Sequence, residues 1–205
     1  TDDPVDSLEW HKVLAEDDTF EVKVLPAWRP DKAMNIEKPE YLDYLKTLSD
    51  VSGITVNSFA SLMDALRNRM EFFASMGCCV SDHALEYVMY KPYTTEEIEK
   101  IFAKRFAGET ITVDEMNKFK TAFMVSVGKE YNKLNWVMQL HYGTIRDNNT
   151  LRYNQLGPDT GYDCINTYDC SAEMAQFLNA LNITDELPKT IIYSLNPSVR
   201  CYRYS

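Results

Sequence analysis

Two spacings of apolar residues take turns along this chain, one alternating and one recurring at three and four. Phe20 to Pro26 alternates as a strand does. It runs into Ala27-Trp28-Arg29-Pro30-Asp31, where prolines stop ladder pairing. Pro39 to Leu48 and Ser58 to Met76 carry helical spacing, the second through Leu62, Leu66, Met70 and Phe73, with Ser58 placed to cap it. Gly77 ends that helix, and the apolar run Cys78-Cys79-Val80, ending in Ser81-Asp82-His83, predicts a buried second strand. Thr94 and Thr112 each precede an acidic first turn, opening one helix to Ala107 and a longer one towards Leu134. Trp136 to Leu140 predicts a third strand that delivers His141 at its end. Tyr142 to Tyr168 is rich in Asn, Asp, Gly and Thr without clean periodicity, which predicts a long, functional loop. Helical spacing returns from Ser171 to Leu181, and Thr190 to Leu195 predicts a fourth strand before Asn196-Pro197.

Strands alternating with helices in this way predict an α/β fold with a parallel sheet. Arg29, Asp82 with His83, His141 and Asn196 fall just past the carboxyl ends of the four expected strands. Open α/β sheets and (β/α)8 barrels both place their chemistry there. These positions recur at intervals of roughly 55 residues, against the ~31 of a minimal barrel unit, so each unit carries extra helices. Eight such units would need about 440 residues, so the chain supplies about half of a (β/α)8 TIM barrel, in about four βα units. An open four-stranded sheet is the alternative that periodicity leaves standing.

Composition narrows the partners. The 205 residues are 45% hydrophobic with a formal net charge of −10, enough apolar matter for a core and the wrong sign for a general phosphate-backbone binder. We expect no nucleic acid and no membrane, since no apolar run approaches the ~18 residues a spanning helix needs. The start, Thr1-Asp2-Asp3-Pro4, has neither an initiating Met nor a secretion signal, so the expectation is a cytoplasmic protein and an incomplete gene product or artificial segment. Five cysteines, at 78, 79, 164, 170 and 201, show no zinc-like spacing and suit reduced thiols. No GxGxxG, Walker, GxSxG or HExxH motif occurs.

The candidate chemistry therefore lies at strand ends. Arg29, stiffened by Pro26 and Pro30, suits a carboxylate or phosphate, with an ion pair to Asp31 or another neighbouring acid as the plainer alternative. Asp82-His83 combines a proton acceptor with a titratable imidazole, although an Asp here could equally cap a helix beginning near Ala84. His141 is one of only three histidines and follows an otherwise apolar strand. From His141 to Asn149, the chain offers Arg146 and the amides of Asn148 and Asn149, donors suited to a polyhydroxylated anion or simply to a turn. Gly157-Pro158-Asp159-Thr160-Gly161 permits close backbone approach to a ligand, or a turn.

Seven separated motifs together closely resemble the uronate (glucuronate) isomerase family: Thr1-Asp2-Asp3-Pro4, Trp28-Arg29-Pro30-Asp31-Lys32, Ser81-Asp82-His83, Gln139-Leu140-His141-Tyr142-Gly143, Arg146-Asp147-Asn148-Asn149-Thr150, Gly157-Pro158-Asp159-Thr160-Gly161-Tyr162-Asp163 and Leu187-Pro188-Lys189-Thr190. The likeness is collinear over residues 1–197, the central part of a metal-dependent-hydrolase-like barrel, and the tail 198–205 departs from it. The resemblance implies a (β/α)8 barrel of the amidohydrolase superfamily in bacterial sugar-acid breakdown. It would interconvert D-glucuronate with D-fructuronate and D-galacturonate with D-tagaturonate. It also implies a divalent metal, zinc, whose His-x-His and Asp ligands would lie before and after this chain, so no metal ligand is assigned here.

Under that resemblance Asp82 and His141 are the catalytic candidates, contacting or shuttling protons to sugar oxygens. Arg29, His83, Arg146 and Asn148 would bind the uronic acid substrate, and His83 would also orient Asp82. The expected activity of the isolated segment is nil, and a fragment that only binds sugar acids is the alternative. A hydrolase of the same superfamily is a third, weaker reading. Open strand edges would favour pairing with a second copy, a homo-oligomer.

Overall fold

A computed structural model describes residues 1–157 and 160–196. Pro158, Asp159, Pro197, the tail 198–205 and Cys201 lie outside the described residues. The elements run α1 (Glu9–Ala15), α2 (Asp31–Met34), α3 (Tyr41–Ser52), α4 (Phe59–Ser75), β1 (Val80–Ala84), α5 (Thr95–Phe106), α6 (Val113–Lys133), β2 (Val137–Tyr142), β3 (Thr144–Ile145), α7 (Thr150–Leu156), β4 (Cys164–Ile165), α8 (Ser171–Asn182) and β5 (Thr190–Ser194).

The long helices begin where the capping residues foretold. Ser58, Thr94 and Thr112 each accept from the backbone three residues on, and Ser61, Glu97 and Glu115 reach back to complete three capping boxes. Apolar faces of α3 to α6 and α8 then bury one core, with Leu48, Leu62, Phe119 and Phe177 nearly or fully enclosed. Each such side chain contributes about 1.5–3 kcal/mol relative to exposure. Where the sheet meets this core, Trp28 packs edge-on against Phe73, ring centroids 4.9 Å apart.

β1, β2 and β5 form a parallel sheet in the order β1-β2-β5. The first expected strand is corrected. Phe20 to Pro26 forms no strand, and Phe20, Val22, Val24 and Leu25 are exposed. Alternation alone does not make a strand; a ladder partner and a buried face must be available. Here the ladder starts later, at fully buried Trp28, which makes isolated parallel bridges to Ser81 on one side and Asp2 on the other. Trp28 N–H donates to Val80 O at 3.1 Å and Asp82 N–H to Trp28 O at 2.8 Å, so Arg29 still leaves the sheet at its edge beside Asp82.

Two further boundaries move. β1 includes Asp82 and His83, and β2 includes His141, where the sequence placed all three just past strand ends. Polar residues stay in the ladder because their backbones pair in register, Asp82 opposite Gln139 and Ala84 opposite His141. The stretch Tyr142 to Tyr168 is not a bare loop: β3 and β4 pair antiparallel there, with α7 between them. Among the described residues, no helix is long and apolar enough to cross a membrane.

Strand alternation gives the sheet two unlike faces. Ser81, His83, Met138 and Leu140 are fully buried, and His83 abuts Tyr131 of α6. On the other face, Val137, Gln139 and His141 are half-buried, and Ile191 and Tyr193 are exposed.

Candidate functional site

The carboxylate of Asp82 is the hub. One oxygen accepts from the Arg29 guanidinium and the other meets His141 Nδ1. Arg29 is carried in by the chain just after the Trp28 bridge, Asp82 by β1 and His141 by β2, so three neighbouring segments of the sheet converge. One plainer alternative falls and one stands: Asp82 sits in a strand and caps no helix, whereas Arg29 does form an ion pair with an acid, Asp82 rather than Asp31. Burial acts to raise the Asp82 carboxyl, but the hydrogen bond and charge of Arg29, followed by His141, outweigh it and hold it below the usual carboxylate range. Asp82 is therefore an anion at neutral pH, and with Nδ1 facing that anion the imidazole keeps Nε2 for a ligand.

His141 opens onto a cavity of about 770 Å³, also lined by Arg29, Thr144, Arg146, Tyr193 and Leu195. Arg146 reaches it from the β3–β4 hairpin and donates to Asp163 at 2.7 Å. Asp163 also accepts from Asp147 N–H at 3.1 Å, which fixes the hairpin turn, where Asp147 holds a left-handed φ of 54°. The combination of a histidine, an ordered carboxylate and two guanidiniums can bind a small acid and exchange a proton with it.

Two of the expected residues lie elsewhere. His83 is one residue from Asp82 but points to the opposite face, fully buried, with Nε2 3.1 Å from Tyr131 Oη and Nδ1 3.3 Å from Asp31 Oδ1. It does not touch Asp82, so the expectation that His83 orients Asp82 is corrected: Arg29 and His141 do that. Asn148 is exposed, its amide donating to Ile145 O at 2.9 Å within the turn, and it does not line the cavity. Asn196 is buried behind the site, donating to Asn166 O at 3.2 Å and so tying the end of β5 to β4.

Sequence reasoning missed three contributors. Asp31 accepts from Ala84 N–H at 3.0 Å and stitches the Arg29 segment to β1. Asp163 partners Arg146, and Tyr193 stacks on His141. Asp31 and Asp163 each lay in a quoted motif, but their partners Ala84 and Arg146 were not read from it; Tyr193 emerges only from strand pairing.

Among the described residues, no group of three or more His, Cys, Asp or Glu side chains is placed to hold a metal ion. Asp82, the one carboxylate at the hub, has both oxygens engaged, so the donors present do not fit a resident divalent cation by themselves. Cys78 and Cys170 are buried, with burial pushing both thiols up, while Cys79 and Cys164 are exposed; all four are free.

Comparison with known proteins agrees in one direction. A family model described as glucuronate isomerase matches residues 1–202. Over 199 residues the chain is 86% identical to a uronate isomerase of Lachnospira eligens, covering 97% of this chain and 42% of that protein. It is 74% identical to one from Lachnoclostridium phytofermentans, with the same coverage. The crystal structure of a uronate isomerase from Thermotoga maritima superposes with a TM-score of 0.89 at 35% identity, over 96% of this chain and 43% of that one. The chain thus spans about two fifths of the length of the curated relatives it matches, and it belongs to the glucuronate isomerase family.

Proposed function

We propose that this chain is the carbohydrate-facing part of a uronate isomerase, one that interconverts D-glucuronate with D-fructuronate and D-galacturonate with D-tagaturonate. The observation that carries this reading is the Arg29–Asp82–His141 arrangement at the carboxyl end of parallel strands, in a chain of this family. Aldose–ketose isomerisation moves a proton between C2 and C1 through an enediol, which calls for a base that can also return the proton. His141 Nε2 takes and returns it, and Asp82 holds the Nδ1–H tautomer rather than exchanging protons itself, much as a buried aspartate orients the histidine of a catalytic triad. Arg29 and Arg146 bind the substrate carboxylate or hydroxyls from one wall of the cavity. No step is routed through a metal, because the residues described here do not form its site.

The architecture we propose is a segment of a (β/α)8 barrel in a cytoplasmic enzyme. The half-exposed face bearing Gln139, Ile191 and Tyr193 corresponds to the barrel interior, and its chemistry lies at the carboxyl ends of the strands. Catalysis would require the rest of the length that the relatives possess. The isolated chain is then expected to bind glucuronate without turning it over, and the open edge of β5 to favour pairing with a second copy.

A coupled assay following fructuronate reduction, run in parallel with isothermal titration of glucuronate into the 205-residue chain, tests this. Turnover by the chain alone would overturn the division of labour. The absence of both binding in the chain and turnover in the full-length protein would overturn the function.

A further inference from the structure

Tyr193 lies outside every motif that pointed to the site, yet it makes the closest ring contact there. Its ring is parallel to that of His141, at an interplanar angle of 5° and a centroid separation of 4.3 Å. The ladder explains why. Tyr193 is the register partner of His141 across β2–β5, and Ala84 is its register partner across β1–β2, so the imidazole stands between a methyl group and an aromatic face. The small side of this gap lets His141 lean across to Asp82, which sits two residues before Ala84 in β1.

We infer that Tyr193 is a positioning residue that fixes the plane and tautomer of His141, so that Nδ1 stays on Asp82 and Nε2 faces the cavity. This rests on the reading of His141 as the proton-transferring group. His141 is 43% exposed at its side chain, so one hydrogen bond alone would leave the ring free to turn about Cβ–Cγ and exchange the places of Nδ1 and Cδ2. That turn passes through an edge-on orientation, which the face of Tyr193 blocks. The stack constrains the orientation of the ring whichever charge state it carries.

The test is NMR of the 205-residue chain labelled with nitrogen-15 and carbon-13 at histidine. There are three histidine signals, and His141 is assigned by its disappearance in His141→Gln. In the wild type and in Tyr193→Phe, the expected result is a proton on Nδ1 and ring protons displaced upfield by the stack. In Tyr193→Ala, the upfield displacement disappears and the two nitrogens average towards a mixed tautomer. Should Tyr193→Ala fail to fold, Tyr193→Leu keeps strand bulk without the aromatic face, and the same two losses are expected. Unchanged His141 signals in whichever of these variants folds would overturn the inference. Because the spectra need no turnover, a failure of the stack and a failure of the isomerase reading are seen separately.

Discussion

Asp82 and His83 are neighbours in sequence, but β1 sends them to opposite faces of the sheet, where the surroundings differ in kind. Behind the sheet, His83 is enclosed by Tyr131 and Asp31 with no access to solvent. In front, Asp82 is held by Arg29 and His141, and His141 remains open to a cavity. Both faces carry a histidine, a carboxylate and an aromatic ring. The difference lies in what the second nitrogen of each imidazole can reach: protein on both sides for His83, a ligand for His141. Residue type therefore does not separate an enclosed histidine from one that opens on a cavity; strand parity and the layer behind it do.

The largest effect that would sharpen this contrast is on turnover. In the full-length protein, His141→Ala should lower kcat/KM by about 10²–10⁴, the usual contribution of a positioned acid-base group. His83→Phe should leave kcat/KM within a few-fold in whatever fraction is folded. Equal losses from the two substitutions, measured at matched folded concentration, would break the distinction between the faces.

Next in size is stability, with the order of the two faces reversed. Tyr131 is fully buried, and burial pushes its hydroxyl well above the ordinary tyrosine range, so it remains a neutral hydrogen-bonding group beside His83. Tyr131→Phe leaves buried His83 Nε2 without its partner, an expected loss of about 1–3 kcal/mol. Urea unfolding of the 205-residue chain reads this directly. A change under ~0.5 kcal/mol would mean that the contact behind the sheet is not a stabilising hydrogen bond.

Acid sensitivity separates the faces again. Arg29 and His141 hold the Asp82 carboxyl below its ordinary value of 3.8, so the folded state binds that proton less readily than the unfolded chain. The stabilisation is complete above that ordinary value and is lost as pH falls through the lower, folded one. Asp82→Asn should flatten the stability profile on the acid side of pH 4. An unchanged slope there would show that Asp82 is not the carboxylate whose ionisation is linked to folding.

What could be read from the sequence follows the same division. Capping boxes and helical spacing are local, so α4, α5 and α6 began where Ser58, Thr94 and Thr112 placed them. Three of the four expected strands were found because their apolar runs are short and bounded by turn residues. The Phe20 to Pro26 strand was not, because pairing depends on which segment lies alongside, and Asp2 lies against Trp28 instead. At the site, Arg29, Asp82 and His141 were legible as polar residues at strand ends and Arg146 as a donor in the segment after His141, and the structure brings them to one cavity or its hub. Tyr193 was not legible, since it depends on cross-strand register, and Asp31 was read only as a partner for Arg29, since its contact with Ala84 spans 53 residues.

The smallest expected effect concerns Arg146, at the rim of the open face. Its partner is Asp163 on the same hairpin, and the side chains are 41% and 29% exposed, so solvent screens the pair and its contribution to stability should stay within about 1 kcal/mol. Arg146→Ala should therefore barely move the unfolding midpoint, and what it does move should shrink further in high salt. If Arg146 also meets the substrate carboxylate, the same substitution should raise KM in the full-length protein up to about tenfold with kcat nearly unchanged, the loss of one charge-assisted hydrogen bond of ~1.5 kcal/mol. A KM that does not change, alongside an unchanged midpoint, would reduce Arg146 to a surface ion pair and leave Arg29 as the sole guanidinium on that wall with a part in binding.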